Sequence, residues 1–543
     1  MNYSPTSLII PAHRGRIAIL STFLLFAVAF VSTGCGVDLA NPPRLATATA
    51  QAAIAPTTAS GALSLPAPTP TPWASGELAG TSPAGTTEPA SGTPSSELTI
   101  WIDETSREHQ AVLDWMAGEF AERHGVNVAV QLVSPSLLPE LVSTSVLSGT
   151  LPDLILHPIE YTAGWTEDGI LDAAAAEEVV ERLGVETFDS AALELMTVNG
   201  QVAAIPSDGY HQLLLYRTDW FRSLGLQPPS TFAAMATAAE RIFDREAIIS
   251  GLVIPTESNL VTTQQAFEQI ALANGCRLID EAGEVVILEP ACREAIEHYF
   301  TTINQFSPSG VQTDTSARNA LLSGRTGMIM TSPAILPDLA GLNPEVVPSC
   351  PECVEGEERA DYLAHNVGVL TEIGGPGGTP VAFGNVRGLG ITTAADREAA
   401  QAFAEFWFTE GYEAWLAVNP ERKVPMRLGR ADAPRLYIDA WGTTPLREDG
   451  PSLAEIYGDE VVDRLRDGIA SAPRWGIREG YGTLMTRLYN KYVISIVLQE
   501  MLSGYFNTDT TLREMYRRTV DLIPNYSFPN VLEEEATPTS ESD

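Results

Sequence analysis

Two groups of aromatic and acidic residues follow predicted strands of this chain. The first comprises Trp101, Asp103 and Glu104, and the second comprises His157, Glu160, Tyr161 and Trp165. Carboxylates and tyrosine hydroxyls can bind ligand hydroxyls, and aromatic rings can stack on apolar ligand faces. Two carboxylates could also serve as the acid and base of a glycoside hydrolase. We therefore expect half of a ligand site here; the alternative is that Trp101 and Trp165 pack in the core.

A third polar patch, Ser207–His211, lies within a segment that reads as a crossing between two lobes. Asn199-Gly200 predicts a hairpin turn. Apolar residues flank the patch on both sides, and Thr218-Asp219 can cap a helix at Trp220–Leu224. Because ligand sites usually lie in clefts between domains, the patch is a candidate for the other half of the site.

Two further candidates come later in the chain. A buried strand predicted at Gly327–Met330 is followed by Ser332-Pro333. A loop containing Trp475 precedes the clearest predicted helix, Leu484–Leu502. For Trp475, a place in the core and a place in a ligand site are equally expected.

These candidates require elements that bring strand ends together. Alternation predicts strands at Leu98–Ile102 and Val126–Leu132, and Leu154–Leu156 is a short buried strand. Helices are predicted between these strands. This βαβαβ order indicates an α/β domain with a parallel sheet, in which ligands gather beyond the carboxyl ends of the strands.

Composition argues against several classes of function. The 543 residues carry 69 acidic and 32 basic side chains, for a net charge of −37. Such a charge disfavours nucleic acid or an anionic membrane surface as a partner. Neither lysine, Lys423 or Lys491, follows a glycine, so a Gly-Lys-Ser/Thr phosphate loop is absent. Gly-x-Ser-x-Gly and His-Glu-x-x-His are also absent, and no cofactor or metal is expected.

The two ends of the chain predict export and disorder. Basic residues precede the apolar run Ile17–Val31, as in a signal peptide, and Ser32–Cys35 resembles the lipobox of bacterial lipoproteins. The resemblance implies lipidation at Cys35 and a signal over residues 1–35; a plain secretory signal or an uncleaved anchor are the alternatives. Residues 36–97, rich in Ala, Thr, Pro and Ser, predict a disordered tether, and 531–543 predict a disordered acidic tail.

The other four cysteines predict two disulfides. In an exported chain an even number of cysteines suggests paired thiols, and four allow three pairings. Cys276–Cys292 is favoured because the intervening sequence indicates a hairpin, which leaves Cys350–Cys353 to close a small loop. The alternative is a redox or zinc site at the Cys-x-x-Cys sequence.

Several motifs together resemble extracellular solute-binding proteins of ABC importers, in the branch related to maltose-binding protein. The resemblance spans about Leu98 to Arg518. The segments that carry it are LTIWI, VNVAVQLV, SGTLPDLIL, NGQVAAIP with LLLYRTDWFRSLGL, LLSGRTGMIM and AAQAFAEFWFTEGYEAWL. Arg217-Thr218 stands where the family has Asn-Lys, and Ala334 replaces a usual tryptophan.

The resemblance implies an α/β, two-lobed periplasmic-binding-protein-like fold (type II) with lobes discontinuous in sequence. The expected lobes are 98–209 with 363–412 and 210–345 with 413–530. A small solute, expected to be a sugar, would be trapped between them and delivered by a monomer to a membrane permease. The implied ligand-binding residues are Trp101, Glu104, His157, Tyr161, Asp208, Tyr210, Ser332, Trp475, Glu479 and Tyr481. A surface glycoside hydrolase and a sensory lipoprotein without transport remain alternatives.

Overall fold

The computed structural model describes residues 97–354 and 360–526. The predicted signal, its Cys35, tether residues 36–96 and the acidic tail lie outside these ranges; Glu97 already belongs to the first strand. Between 97 and 224 the elements are β1 (Glu97–Ile102), α1 (Arg107–His124), β2 (Asn127–Leu132), α2 (Leu138–Ser148), β3 (Leu154–Pro158), α3 (Ile159–Glu167), α4 (Ala173–Leu183), α5 (Ser190–Leu195), β4 (Thr197–Val198), β5 (Gln201–Val202), β6 (Ile205–His211), β7 (Leu213–Arg217) and α6 (Thr218–Leu224).

The remaining elements are mainly helical. Up to residue 354 they are α7 (Phe232–Ile242), α8 (Val261–Ala273), α9 (Pro290–Phe306), α10 (Asp314–Leu322), β8 (Met328–Thr331), α11 (Leu336–Leu339) and α12 (Pro351–Val354). From residue 360 they are α13 (Tyr362–Asn366), β9 (Val367–Leu370), β10 (Glu372–Ile373), β11 (Val381–Ala382), β12 (Gly384–Ile391), α14 (Arg397–Phe408), α15 (Tyr412–Ala417), β13 (Val424–Pro425), α16 (Leu436–Trp441), α17 (Leu453–Tyr457), α18 (Asp459–Arg466), α19 (Gly482–Asn490), α20 (Val493–Leu502) and α21 (Thr508–Val520).

The first lobe is built on a six-stranded sheet with the order β13-β6-β12-β3-β1-β2. Strands β1, β2 and β3 are parallel, which confirms the predicted βαβαβ unit. Strand β12 enters antiparallel between β3 and β6. The core of this lobe includes Phe120, Phe403 and Trp407, which come from α1 and α14.

The second lobe contains a three-stranded antiparallel sheet with the order β8-β7-β9. Isolated parallel bridges from Ser250 to Thr326 and from Val253 to Ile329 align residues 250–253 with β8. The main core of this lobe lies among α7, α8, α9, α19, α20 and α21. The second lobe is therefore mostly helical around a small sheet.

The chain crosses between the sheets at two adjacent places. Strand β6 of the first sheet is followed by β7 of the second, with Gln212 between them. The return path runs from β9 through the β10–β11 hairpin to β12. The Gln212 backbone N–H donates to the carbonyl of Phe383 at 2.9 Å, so the two crossings are hydrogen-bonded to each other.

Two segments lie in the lobe opposite to the one predicted for them. Strand β9, predicted with the first lobe, pairs with β7 in the second sheet. Strand β13, predicted with the second lobe, pairs with β6 in the first. In both cases the pairing partner, which is distant in sequence, determines the lobe.

Two local predictions have clear outcomes. Disulfides join Cys276 to Cys292 and Cys350 to Cys353, which confirms the favoured pairing. The single helix predicted over Leu484–Leu502 is wrong: α19 ends at Asn490 and α20 starts at Val493. Tyr492 between them has a positive φ of 49°, a conformation that cannot continue a right-handed helix.

Candidate functional site

A cleft of about 340 Å³ lies between the two lobes and is called the interlobe cleft here. The lining residues from the first lobe and its crossing strands are Asp103, Ser134, Pro135, Ser136, Pro158, Glu160, Tyr161, Tyr210, Asn385, Arg387 and Arg422. Those from the second lobe are Leu260, Val261, Thr262, Gln265, Asp314, Arg318, Thr331, Ser332 and Ala334. Polar groups from both lobes therefore face one volume.

The first wall of the cleft is made by residues that follow the carboxyl ends of parallel strands. Asp103 follows β1, Ser134 follows β2, and Glu160 and Tyr161 follow β3. The parallel register of these strands brings their ends to one edge of the sheet, as the βαβαβ pattern predicts.

The floor of the cleft is formed by the crossing strands. Tyr210 in β6 and Asn385 in β12 are register partners, and the Asn385 amide donates to the Tyr210 hydroxyl at 3.1 Å. The guanidinium of Arg422 lies 5.5 Å from the centre of the Tyr210 ring. These contacts fix the orientation of Tyr210 at the point where the lobes meet.

The second wall comes from the beginnings of α8 and α10 and the end of β8. The Thr262 hydroxyl donates to Asp314 at 2.7 Å, which ties α8 to α10. Thr313 and Ser316 form a reciprocal capping box at the start of α10. Thr331 and Ser332 follow with their hydroxyl-bearing side chains at the end of β8.

Behind the first wall, Arg387 forms a buried ion-pair network. Its guanidinium donates to Asp208 at 2.6 and 2.9 Å, to Glu104 at 2.6 Å and to Asp103 at 3.3 Å. Asp208 also accepts from the Trp415 indole at 2.9 Å. Arg387 and Asp208 are almost completely buried, so each depends on the other for its charge. This network holds the end of β1 against β6 and β12.

Burial and neighbouring charges act in opposite directions on the two carboxyl groups after β1. For Asp103, burial is the larger effect and raises the pKa to about 7, against the opposing pull of Arg387. Burial also disfavours the charge of Glu104, but Arg422 and Arg387 outweigh it and hold the pKa of Glu104 well below its usual range. Glu104 is therefore a fixed anion, whereas Asp103 is poised to change its charge near neutral pH.

A second buried network connects the lobes at the back of the cleft. Arg474 donates to Glu160 at 3.0 Å and to Glu268 at 3.1 Å, with Glu160 in α3 of the first lobe and Glu268 in α8 of the second. Its guanidinium lies 4.3 Å from the centre of the Phe383 ring. Gln265 donates to the same oxygen of Glu160 at 2.8 Å.

The structure brings some of the sequence-predicted residues to the cleft and not others. Tyr161, Tyr210 and Ser332 line it. Glu104 and Asp208 lie behind the wall, where they pair with Arg387. The loop residues Trp475, Glu479 and Tyr481 are absent from the lining, as are Trp101 and His157.

The residues that miss the cleft have other surroundings. Trp475 is buried in the second-lobe core and donates its indole N–H to the carbonyl of Cys276 at 2.9 Å. His157 is buried against Trp165, and burial lowers the pKa of His157 to about 4. Trp101 packs against the cluster around Trp165. Tyr481 donates to the carbonyl of Glu281, and Glu479 is exposed.

Sequence reasoning missed most of the polar residues from β12 and the second lobe. Arg387 carried a usable signal, because it is a charged residue inside the otherwise uncharged strand β12. The other cleft residues carried no such signal, because polar residues on helices and strands normally face water; they include Asn385, Gln265, Asp314 and Arg318.

Among the described residues, no cluster of three or more His, Cys, Asp or Glu side chains is arranged to hold a metal ion.

Comparison with known proteins gives the family. The model of the bacterial extracellular solute-binding protein family matches residues 115–440, which is more than half of the chain. The chain belongs to this family. This chain is 25% identical over 430 residues to YcjN of Escherichia coli (strain K12), which is named as a putative ABC transporter periplasmic-binding protein. The match covers 77% of this chain and 91% of YcjN.

Solved structures show the same two-lobed fold. A solute-binding protein of Thermotoga lettingae, described as bound with α-D-tagatose, is 18% identical with a TM-score of 0.61. T. maritima MalE3, described as maltose-bound, is 19% identical with a TM-score of 0.59. Each match covers 79% of this chain and 100% of the other. The family and fold predicted from the motifs are thus confirmed.

Within the described ranges, no helix is long and apolar enough to cross a membrane.

Proposed function

We propose that this solute-binding protein captures a sugar or similar polyol in the interlobe cleft and delivers it to an ABC transporter permease. The observation that supports this most is that hydroxyl, amide and charged groups from both lobes line one cleft. A polyol needs many directional hydrogen bonds, and the cleft supplies both donors and acceptors. Two solved relatives are described as bound to sugars.

We further propose that the lobes close on the solute about the paired crossings at Gln212 and 371–383. Closure around a ligand is a standard form of domain motion, in which a few residues between the domains absorb the change. The bond between Gln212 and Phe383 would keep the crossings together during the movement. The lipobox-like sequence at Cys35 supports a lipid anchor at the outer face of the membrane. In this proposal the protein acts as a monomer and carries out no chemical reaction.

The experiment is thermal unfolding of the purified protein against mono- and oligosaccharides, polyamines, amino acids and phosphate esters. A solute at one hundred times its dissociation constant should stabilise the protein by about 2.7 kcal/mol, which raises Tm by a few degrees. Stabilisation by sugars without their turnover supports a receptor. Turnover of a glycoside would instead support a hydrolase that uses the cleft carboxylates, and no shift with any solute would contradict capture of a small solute.

A further inference from the structure

Two buried acceptor atoms of cleft residues have no hydrogen-bond partner among the described residues. They are Oε2 of Glu160 and Oδ1 of Asn385. Glu160 is 1% exposed and Asn385 is 6% exposed, and both line the cleft. Leaving such atoms unpaired is costly, so a ligand that supplies donors to them would gain binding free energy.

The charges around the cleft do not balance. We count the charged side chains that line the cleft and those that form an ion pair with one of them. Six are carboxylates: Asp103, Glu104, Glu160, Asp208, Asp314 and Asp338. Four are arginines: Arg318, Arg387, Arg422 and Arg474. With every group ionised the surplus is two negative charges, and it falls to one when Asp103, whose pKa burial raises to about 7, is protonated. A charge that is largely shielded from water is expensive to maintain without a counter-charge.

The arginines are committed to protein carboxylates. Arg318 pairs with Asp338, and Arg474 is shared by Glu160 and Glu268. The donors of Arg387 are engaged with Asp208, Glu104 and Asp103 in the network described above. An anionic ligand would therefore have to compete with these pairs. The Nε of Arg422, which is buried without a partner, is a donor left for a ligand oxygen.

Two of the carboxyl groups, Glu160 and Asp103, line the cleft itself, and Glu160 keeps one oxygen without a hydrogen-bond partner. The charges of Glu160 and Asp103 both contribute, after burial, to raising the pKa of Tyr161. They also act on Tyr210, although Arg422 and Arg387 oppose them there. All four side chains line the cleft, so it contains two carboxyl groups and two tyrosines. Carboxylates and aromatic rings both favour a bound cation.

We propose that the solute is a polyol that carries a protonated amino group, such as an amino sugar, and that its ammonium binds at Glu160 and Asp103. This inference rests on the proposed function and narrows it. A neutral sugar could satisfy the two free acceptors but would leave the charge surplus in place. A simple polyamine would balance the charge but would not supply acceptors to Arg422 Nε or to the hydroxyls of Thr331 and Ser332.

The test uses matched ligands in calorimetric titrations of the purified protein at pH 7. The pairs are glucosamine with glucose, galactosamine with galactose, and the β-1,4-linked glucosamine disaccharide with cellobiose. N-acetylglucosamine serves as an uncharged amide control. In at least one pair the amine should bind about tenfold or more tightly than its hydroxyl counterpart, the effect expected of one charged hydrogen bond. The N-acetyl form should lose this advantage.

The variant Glu160→Gln keeps the side-chain shape and removes the charge, and it should bring the amine-to-hydroxyl affinity ratio close to one. Arg474 pairs with Glu160, and loss of this ion pair could prevent Glu160→Gln from folding. Asp103→Asn provides the same test in that case. The matched control is Glu122→Gln, an exposed carboxylate on α1, which should leave the ratio unchanged.

The outcomes separate this inference from the proposed function. Sugar binding without preference for the amine in any pair would overturn the inference and leave the receptor in place. An amine preference that survives both cleft variants would also overturn the assigned site. Failure of every ligand in the three pairs overturns the inference, whereas the proposed function falls only if the wider panel gives no binding either.

Discussion

Trp475 lies in the second-lobe core and not in the lining of the cleft. It is 2% exposed and packs against Phe267 in the second-lobe core. Trp475→Ala should therefore lower the free energy of unfolding by about 3–5 kcal/mol, because it opens a cavity. The folded variant should keep its affinity for the solute, whereas Tyr210→Ala should lose affinity and should lose less stability than Trp475→Ala, because Tyr210 lies at the open cleft.

Urea unfolding and solute titration of the two variants measure these opposite effects. If Trp475→Ala weakened binding while leaving stability intact, its assignment to the core would be refuted.

Glu421 predicts a dependence of stability on pH. It is 3% exposed, its Oε2 has no partner among the described residues, and burial raises its pKa from 4.5 to about 7. Below pH 4.5 the carboxyl is protonated in both the folded and the unfolded protein, so its ionisation does not change the free energy of unfolding. Between pH 4.5 and 7 the unfolded chain releases the proton more readily, so this group progressively destabilises the fold as pH rises. Above pH 7 the carboxyl is ionised in both the folded and the unfolded protein, so the destabilisation no longer changes with pH.

Replacing Glu421 with glutamine should remove this cost. The stability advantage of Glu421→Gln over the unmodified protein should be small at pH 4, grow up to pH 7, and reach at most about 3 kcal/mol. Unfolding curves of both proteins at several pH values measure the difference. An advantage that is independent of pH would contradict the assigned ionisation.

At the scale of elements, helices α3 and α19 hold the two lobes in close contact behind the cleft. The Thr486 hydroxyl donates to the carbonyl of Glu160 at 2.6 Å and accepts from the N–H of Gly164 at 3.1 Å. It thus inserts between two groups that are four residues apart on α3, and a Cβ at Gly164 would lie 2.5 Å from the Thr486 side chain. Glycine is required here by this close approach.

Gly164→Ala should destabilise the protein by about 1–3 kcal/mol, because the added methyl forces the helices apart. It should also weaken solute binding, since α3 carries Glu160 and Tyr161. The matched control is Gly118→Ala on α1, where the added Cβ meets nothing within 4 Å; it should raise stability by up to about 1 kcal/mol, since alanine favours a helix. Equal stabilities of the two variants would show that the contact is unimportant.

The sequence predicted elements better than it predicted the site. The sequence predicts helices over Val261–Ala273, ended by Asn274-Gly275, and over Pro290–Phe306, and these are the bounds of α8 and α9, because such start and stop residues are local signals. They also give the Asn199-Gly200 turn, where both residues have positive φ. The break at Tyr492 is not visible in the sequence, since Leu484–Leu502 keeps its apolar spacing across it. Residues such as Gln265 and Asp314 reach the cleft only because one lobe packs against the other, and no local pattern records that packing.

At the scale of the whole molecule, both lobes contribute groups to one site. Each lobe has its own sheet and core, and a further apolar cluster contains residues of both lobes. The chain passes between the lobes at Gln212, at 371–383 and again between β13 and α19. A solute held by one lobe alone would leave half of the lining groups without partners. Binding and lobe closure are therefore expected to be the same event.

Hydrogen–deuterium exchange of the purified protein, with and without a saturating solute found in the panel, tests this claim most directly. Amide exchange reports local opening, which a solute that bridges the lobes suppresses. We predict slower exchange at the first-lobe segment 158–161, at the crossing strands β6 and β12, and at the second-lobe segments 260–265 and 331–334, with no change at 475–481. Protection confined to one lobe, or centred on 475–481, would contradict the account.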